Sequence, residues 1–192
     1  AFAEVDPKGG FGDWLSVGKK TPPDMLATMY YAYSAQLMQE MALAIGDEKE
    51  ASHFKEINAK VKAAFLKHYT NAEGRFICNA AAYGDGRGYV DGEQGFEGHT
   101  QTAYANAIFM NLLDSTHTLK AAKWLNELVV KNGNKLTTGF LGVRPMLPVL
   151  SNTGYSETAY KLLFQKEYPS WGFEIANGAN TIWERWNSFT KE

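Results

Sequence analysis

A chain of 192 residues, 45% apolar and 14% aromatic, can bury a sizeable core and fits one ordinary domain or part of a larger one. Its 19 lysines and arginines against 21 aspartates and glutamates leave a formal net charge of −2, and no basic run or arginine stripe stands ready to neutralise phosphates, which argues against a nucleic-acid surface. The single cysteine, Cys78, rules out an internal disulfide and reads as a small buried apolar residue, and no apolar run approaches the roughly 20 residues of a membrane span.

Helical periodicity dominates the chain. After Thr21-Pro22-Pro23-Asp24, which can begin a helix, the apolar series Leu26, Met29, Tyr30, Tyr33, Leu37, Met41, Ala44 and Ile45 keeps to one face until Gly46 stops it. A second helix follows with Phe54, Ile57, Val61, Ala64 and Phe65 inward and Lys55, Glu56, Lys60 and Lys62 toward water, and Asn71 to Gly74 reads as a turn. Thr102 to Leu113 is apolar nearly all round, as in a helix enclosed on both sides, whereas Leu119 to Val130 is amphipathic. Pro145 to Leu150 and Ser156 to Gln165 suggest a further pair. Alternation of enclosed and half-exposed helices suits an all-α toroid, with inner helices around the axis and outer ones facing solvent.

Between Cys78 and His99 lies a glycine-rich segment, Tyr83 to Gly98, too long and polar for a simple connector. A phosphate cradle fits poorly because no Gly-Lys-Ser/Thr follows, and a calcium hand fits poorly because Arg87 and Tyr89 stand where oxygen ligands are needed. A rim at the mouth of a cavity, with Glu97 and His99 near its end, is the better reading; an ordinary histidine at a helix start is the alternative for His99. The histidines at 53, 68, 99 and 117 show no ligand spacing, Gly154-Tyr155-Ser156-Glu157-Thr158 lacks the second glycine of a nucleophile elbow, and neither a metal nor a cofactor is implied.

The densest chemistry is Thr181-Ile182-Trp183-Glu184-Arg185-Trp186, one carboxylate among two indoles and a guanidinium. Indole faces stack on the C–H face of a pyranose, and a fixed carboxylate with an arginine takes up hydroxyls or a water. On a helix, Trp183 and Trp186 could equally form a core stripe with the charges solvated.

Thr137-Thr138-Gly139-Phe140-Leu141-Gly142, Leu147 to Tyr155, Gln165 to Gly172 and the Trp-Glu-Arg-Trp run, in that order and spacing, resemble the C-terminal half of the catalytic domain of the bacterial α-L-rhamnosidases, inverting glycoside hydrolases with an (α/α)6 barrel of six helical hairpins. Phe11-Gly12-Asp13-Trp14-Leu15 and Gln101-Thr102-Ala103-Tyr104-Ala105 resemble two further family segments. The resemblance covers about residues 11 to 188 and is most specific from 136 to 188. It implies that residues 1–192 form a partial barrel, about half of the six-hairpin ring, with 78–99 as its active-site rim loop. It implies Glu184 as general base, with Arg185 beside it keeping the carboxylate ionised. A sugar wall would draw on Asp13, Trp14, Glu97, His99, Gln101, Trp171, Trp183, Arg185 and Trp186. Asp13 has a second reading, as a turn or cap residue. The general acid of the family lies upstream of the Gly-Asp-Trp segment, in a motif that this chain does not contain. The expected partners are therefore a rhamnose-containing carbohydrate and the remainder of the same barrel, with no nucleic acid and no membrane, and half a toroid alone is expected to be poorly stable. A toroid glycosidase for another sugar, a carbohydrate-binding remnant and a helical interaction scaffold are the competing readings.

Overall fold

The computed structural model of the protein describes residues 11–78 and 98–189. Among them the regular structure is seven α-helices: α1 (Pro23–Ala44), α2 (Glu48–Tyr69), α3 (Gln101–Phe109), α4 (Ser115–Lys131), α5 (Phe140–Asn152), α6 (Ser156–Leu163) and α7 (Trp171–Ala176). Local chemistry sets most of their ends. Pro23 opens α1, where its missing N–H costs nothing, and Gly46, at φ +79°, turns the chain after it. Asp47, Thr100 and Asp114 cap α2, α3 and α4 by accepting from the amides of Glu50, Ala103 and His117 at 3.0, 3.1 and 2.8 Å.

Short connections fold α1 onto α2, α3 onto α4 and α5 onto α6 as three helical hairpins. α3 also packs against α1 and α5, while α4 packs against α6. Helices α1, α3 and α5 therefore follow one another on one layer and their hairpin partners α2, α4 and α6 back them, which is the arrangement of a segment of an α/α toroid. Enclosure of α3 on several sides explains its lack of a polar face: Gln101 to Ala107 are all buried. The core around it centres on Phe65, Phe76 and Tyr104. The Phe76 and Tyr104 rings stack at 4.3 Å, and the Phe76 amide donates to the Tyr104 hydroxyl at 2.8 Å.

Two helices differ from the sequence expectation. The apolar stripe of α1 was expected to run inward through Leu37, Met41 and Ile45, yet these are 37%, 53% and 82% exposed. Ala32, Ala35 and Ala42 are buried instead. Small side chains there let α2 come close enough for Asn58 Nδ2 to donate to the Ala32 carbonyl at 2.8 Å, so the larger residues point away from the hairpin. Helix α5 starts five residues before Pro145 and continues through both Pro145 and Pro148. Pro145 has no N–H to offer the carbonyl of Leu141, and Asn106 Nδ2 from α3 supplies that donor at 3.2 Å.

Candidate active site

The N-terminal end of α5 is the foundation of the site. Its first amides point at the Asp13 carboxylate: Oδ2 accepts from Gly139 at 2.8 Å and from the Thr102 hydroxyl, and Oδ1 accepts from Leu141 at 2.9 Å and Gly142 at 3.2 Å. A carboxylate is the natural partner for free amides at a helix start. The surrounding backbone is equally close. Phe140 N–H donates to the Trp14 carbonyl at 3.0 Å and Val17 N–H to the Thr137 carbonyl at 3.0 Å. A Cβ on Gly139 would collide with the Trp14 carbonyl oxygen, so only glycine fits where these segments cross.

Against this foundation lies the C-terminal segment. Ser170 caps α7 by accepting from Phe173 N–H at 3.0 Å. Beyond α7 the chain is irregular, and it is tied back by side chains: Trp186 Nε1 donates to the Thr138 carbonyl at 3.1 Å, and the Trp171 and Trp186 rings meet edge to face at 5.8 Å. Arg185 N–H donates to Ser188 Oγ at 3.1 Å, closing a turn. Trp183 and Trp186 are thus not a helical stripe, because the run they belong to is not a helix.

Between these parts opens a cavity of about 390 Å³. Leu15, Phe140, Val143 and Leu147 form its apolar side, and Trp171, Trp183 and Trp186 its aromatic side. Its ionisable groups are Glu174, Glu184 and Arg144. Glu184 is exposed to solvent on the open side, whereas Glu174 is only 3% exposed. Burial pushes the Glu174 carboxyl above the ordinary glutamate value, and the nearby backbone of Trp183 offsets part of that rise. Aromatic faces, a solvated carboxylate and a guanidinium around one opening can hold a sugar ring and a water beside it. Among the described residues no cluster of His, Cys, Asp and Glu is suited to a metal ion.

The structure brings Trp171, Trp183, Glu184 and Trp186 to one cavity, and among the described residues it leaves Asp13, Trp14, His99, Gln101 and Arg185 off its wall. Asp13 is buried with both carboxylate oxygens committed to the start of α5, so it is a brace and has no free acceptor for a sugar hydroxyl. Trp14 is 42% exposed and packs edge to face on Phe11, and Leu15, at φ +61°, takes the place on the cavity wall. Gln101 is buried and bridges backbone: its Nε2 donates to the Lys135 carbonyl at 3.0 Å and its Oε1 accepts from Thr137 N–H at 3.0 Å. His99 lies in a different depression, beside Lys19 and Lys131, with its Nδ1 2.7 Å from the Tyr104 hydroxyl. Arg185 is exposed, off the cavity wall, and makes no ion pair with Glu184 among the described residues; the guanidinium on the wall belongs to Arg144. Glu97 and most of the 78–99 loop lie outside the described residues. Glu174 and Arg144 were missed from sequence. Glu174 follows Trp171 by three positions, a same-face spacing that becomes readable once α7 is recognised, and Arg144 sits in the stretch of α5 before Pro145.

The family model of the bacterial alpha-L-rhamnosidase six-hairpin glycosidase domain matches residues 4–192. An alpha-L-rhamnosidase of Streptomyces avermitilis is 37% identical over 182 residues, covering 95% of this chain and 16% of its own, and one of Formosa agariphila is 33% identical over 194 residues, covering 97% and 19%. The crystal structure of the Streptomyces avermitilis alpha-L-rhamnosidase complexed with L-rhamnose superposes with a TM-score of 0.82 at 35% identity, covering 99% of this chain and 16% of that one. The chain thus spans less than a fifth of the length of these relatives. Its three described hairpins are half the number in a six-hairpin ring, and the chain belongs to the bacterial alpha-L-rhamnosidase six-hairpin glycosidase domain family.

Proposed function

We propose that this chain forms the general-base side of a site that hydrolyses terminal α-L-rhamnosyl residues with inversion, and that Glu184 is the base. The observation that carries the reading is the placement of Glu184 on one cavity with Trp171, Trp183 and Trp186. Family membership, and the L-rhamnose held by the Streptomyces relative, support the choice of sugar. In this reading the indoles cover the C–H face of the ring and exclude bulk water, and Arg144 takes a hydroxyl. Glu184 removes a proton from a water molecule as the water oxygen attacks the anomeric carbon. A second carboxyl, roughly 6.5–9.5 Å away across the ring and supplied by the rest of the barrel, protonates the departing oxygen.

The test follows an aryl α-L-rhamnoside by proton NMR with the intact polypeptide that carries this chain. Release of the β-anomer first, and a rate about 10²–10⁴ lower in Glu184→Gln, is the expected result. Release of the α-anomer first would overturn inversion, and no release by the parent would overturn the choice of sugar.

A further inference from the structure

On α5, Phe140, Val143, Arg144 and Leu147 all reach the cavity and recur at the spacing of one helical stripe, so the guanidinium of Arg144 stands beside apolar side chains. The side chain is exposed and makes no hydrogen bond or ion pair with the described residues. A long side chain without a fixed partner samples many rotamers, and ordering it at each binding event weakens the contact it finally makes. One neighbour narrows that freedom. The guanidinium carbon of Arg144 lies over the ring of Phe109, 5.7 Å from its centre, within the range at which an aromatic face attracts a cation. Phe109 is the last residue of α3, is half-buried against the core, and its ring meets that of Tyr33 from α1 at 6.3 Å. It does not line the cavity itself.

We propose that Phe109 is a positioning residue: its ring holds the Arg144 guanidinium at the cavity, so that the donors are aimed at a sugar hydroxyl before the substrate arrives. The proposal rests on the reading of the cavity as a rhamnoside site with Arg144 as a hydroxyl contact. An aromatic face attracts a guanidinium with or without a phenolic hydroxyl, so tyrosine should serve at position 109. Leucine is apolar but has no ring, and should not. A hydroxyl contact of this kind is made equally in the ground state and the transition state, so its loss belongs in KM and leaves kcat alone.

The parent, Phe109→Leu, Phe109→Tyr, Arg144→Met and the pair Phe109→Leu with Arg144→Met are assayed on an aryl α-L-rhamnoside in the intact polypeptide. Phe109→Leu is expected to raise KM about three- to tenfold with kcat changed less than about twofold, while Phe109→Tyr stays near the parent. Arg144→Met should raise KM at least as much. In that background Phe109→Leu should add nothing, because the group it positions is gone. An unchanged KM in Phe109→Leu or in Arg144→Met would overturn the proposal. So would an equal rise in Phe109→Tyr, or a full further rise on top of Arg144→Met, since either marks a role in packing alone. A parent inactive on the rhamnoside would instead overturn the sugar assignment, and crystal structures of the parent and Phe109→Leu would then decide the role of Phe109. A guanidinium ordered over the ring in the parent and displaced in the variant is expected, and one left in the same place would overturn it. If Phe109→Leu does not fold, Phe109→Met, likewise without a ring, takes its place with the same expected direction.

Discussion

The carboxylate of Asp13 and the amide of Gly139 lie 2.8 Å apart although 126 positions separate them in the chain. Three further donors converge on the same carboxylate, so its removal strands several buried polar groups at once. Asp13→Ala should destabilise the intact polypeptide by about 3 kcal/mol in urea unfolding, since each stranded buried donor costs about 1–3 kcal/mol. Asp13→Asn should be nearly as damaging, because its NH2 group faces donors whichever way it turns. A loss of sugar affinity with unchanged stability would show that the carboxylate serves the ligand instead.

Gly139→Ala tests the same crossing from the other side. The added methyl meets the Trp14 and Asp13 carbonyl oxygens, which are backbone atoms with no rotamer to change. A loss of about 3 kcal/mol, at the upper end of overpacking penalties, is expected in the same unfolding experiment. Gly133→Ala is a suitable contrast, since its Cβ meets nothing and only its positive φ is penalised.

The proline-broken ladder of α5 makes a double-mutant cycle possible. Asn106→Ala removes the donor that serves the Leu141 carbonyl and should cost about 1–3 kcal/mol. Pro145→Ala restores a backbone N–H four residues after Leu141, so the same Asn106→Ala change should cost measurably less in that background. Equal costs in both backgrounds would mean that Asn106 acts through its other bond, to the Thr102 carbonyl.

Glu174 also predicts a pH dependence. Below the ordinary glutamate value of 4.5, folded and unfolded chains both hold the proton, and the carboxyl does not favour either. As pH rises through that value the unfolded chain releases its proton first, because burial has raised the folded value, and stability falls until the folded carboxyl ionises too. Glutamine does not titrate. The melting temperature of Glu174→Gln relative to the parent should therefore be higher at pH 7 than at pH 4, as differential scanning calorimetry would show.

The first four helices were readable because their signals are local: Pro23 and Gly46 bound α1, Asp47 and Asp114 cap their own helices, and the unbroken burial of Gln101 to Ala107 appears as a stretch with no polar face. What failed was non-local. Nothing near Pro145 announces that a helix continues through it, because the compensating donor sits on Asn106 in α3. Likewise Asp13 reads as a short polar residue in a turn, and its four donors all lie more than 80 positions away. At the C-terminal end the residue types of the Trp-Glu-Arg-Trp run pointed to the cavity, but helical spacing did not describe the run, and Arg185 was credited with a place that Arg144 occupies.

The crossing of residues 12–17 over the start of α5 also bears on the order in which the protein assembles. Each hairpin closes between neighbours in sequence, which is fast, whereas the cavity wall requires a loop of more than a hundred residues to close before Asp13 can meet Gly139. During refolding, helical signal should be regained ahead of the tryptophan environment, and the cavity is a late product of folding that matures only after the helices around it are in place.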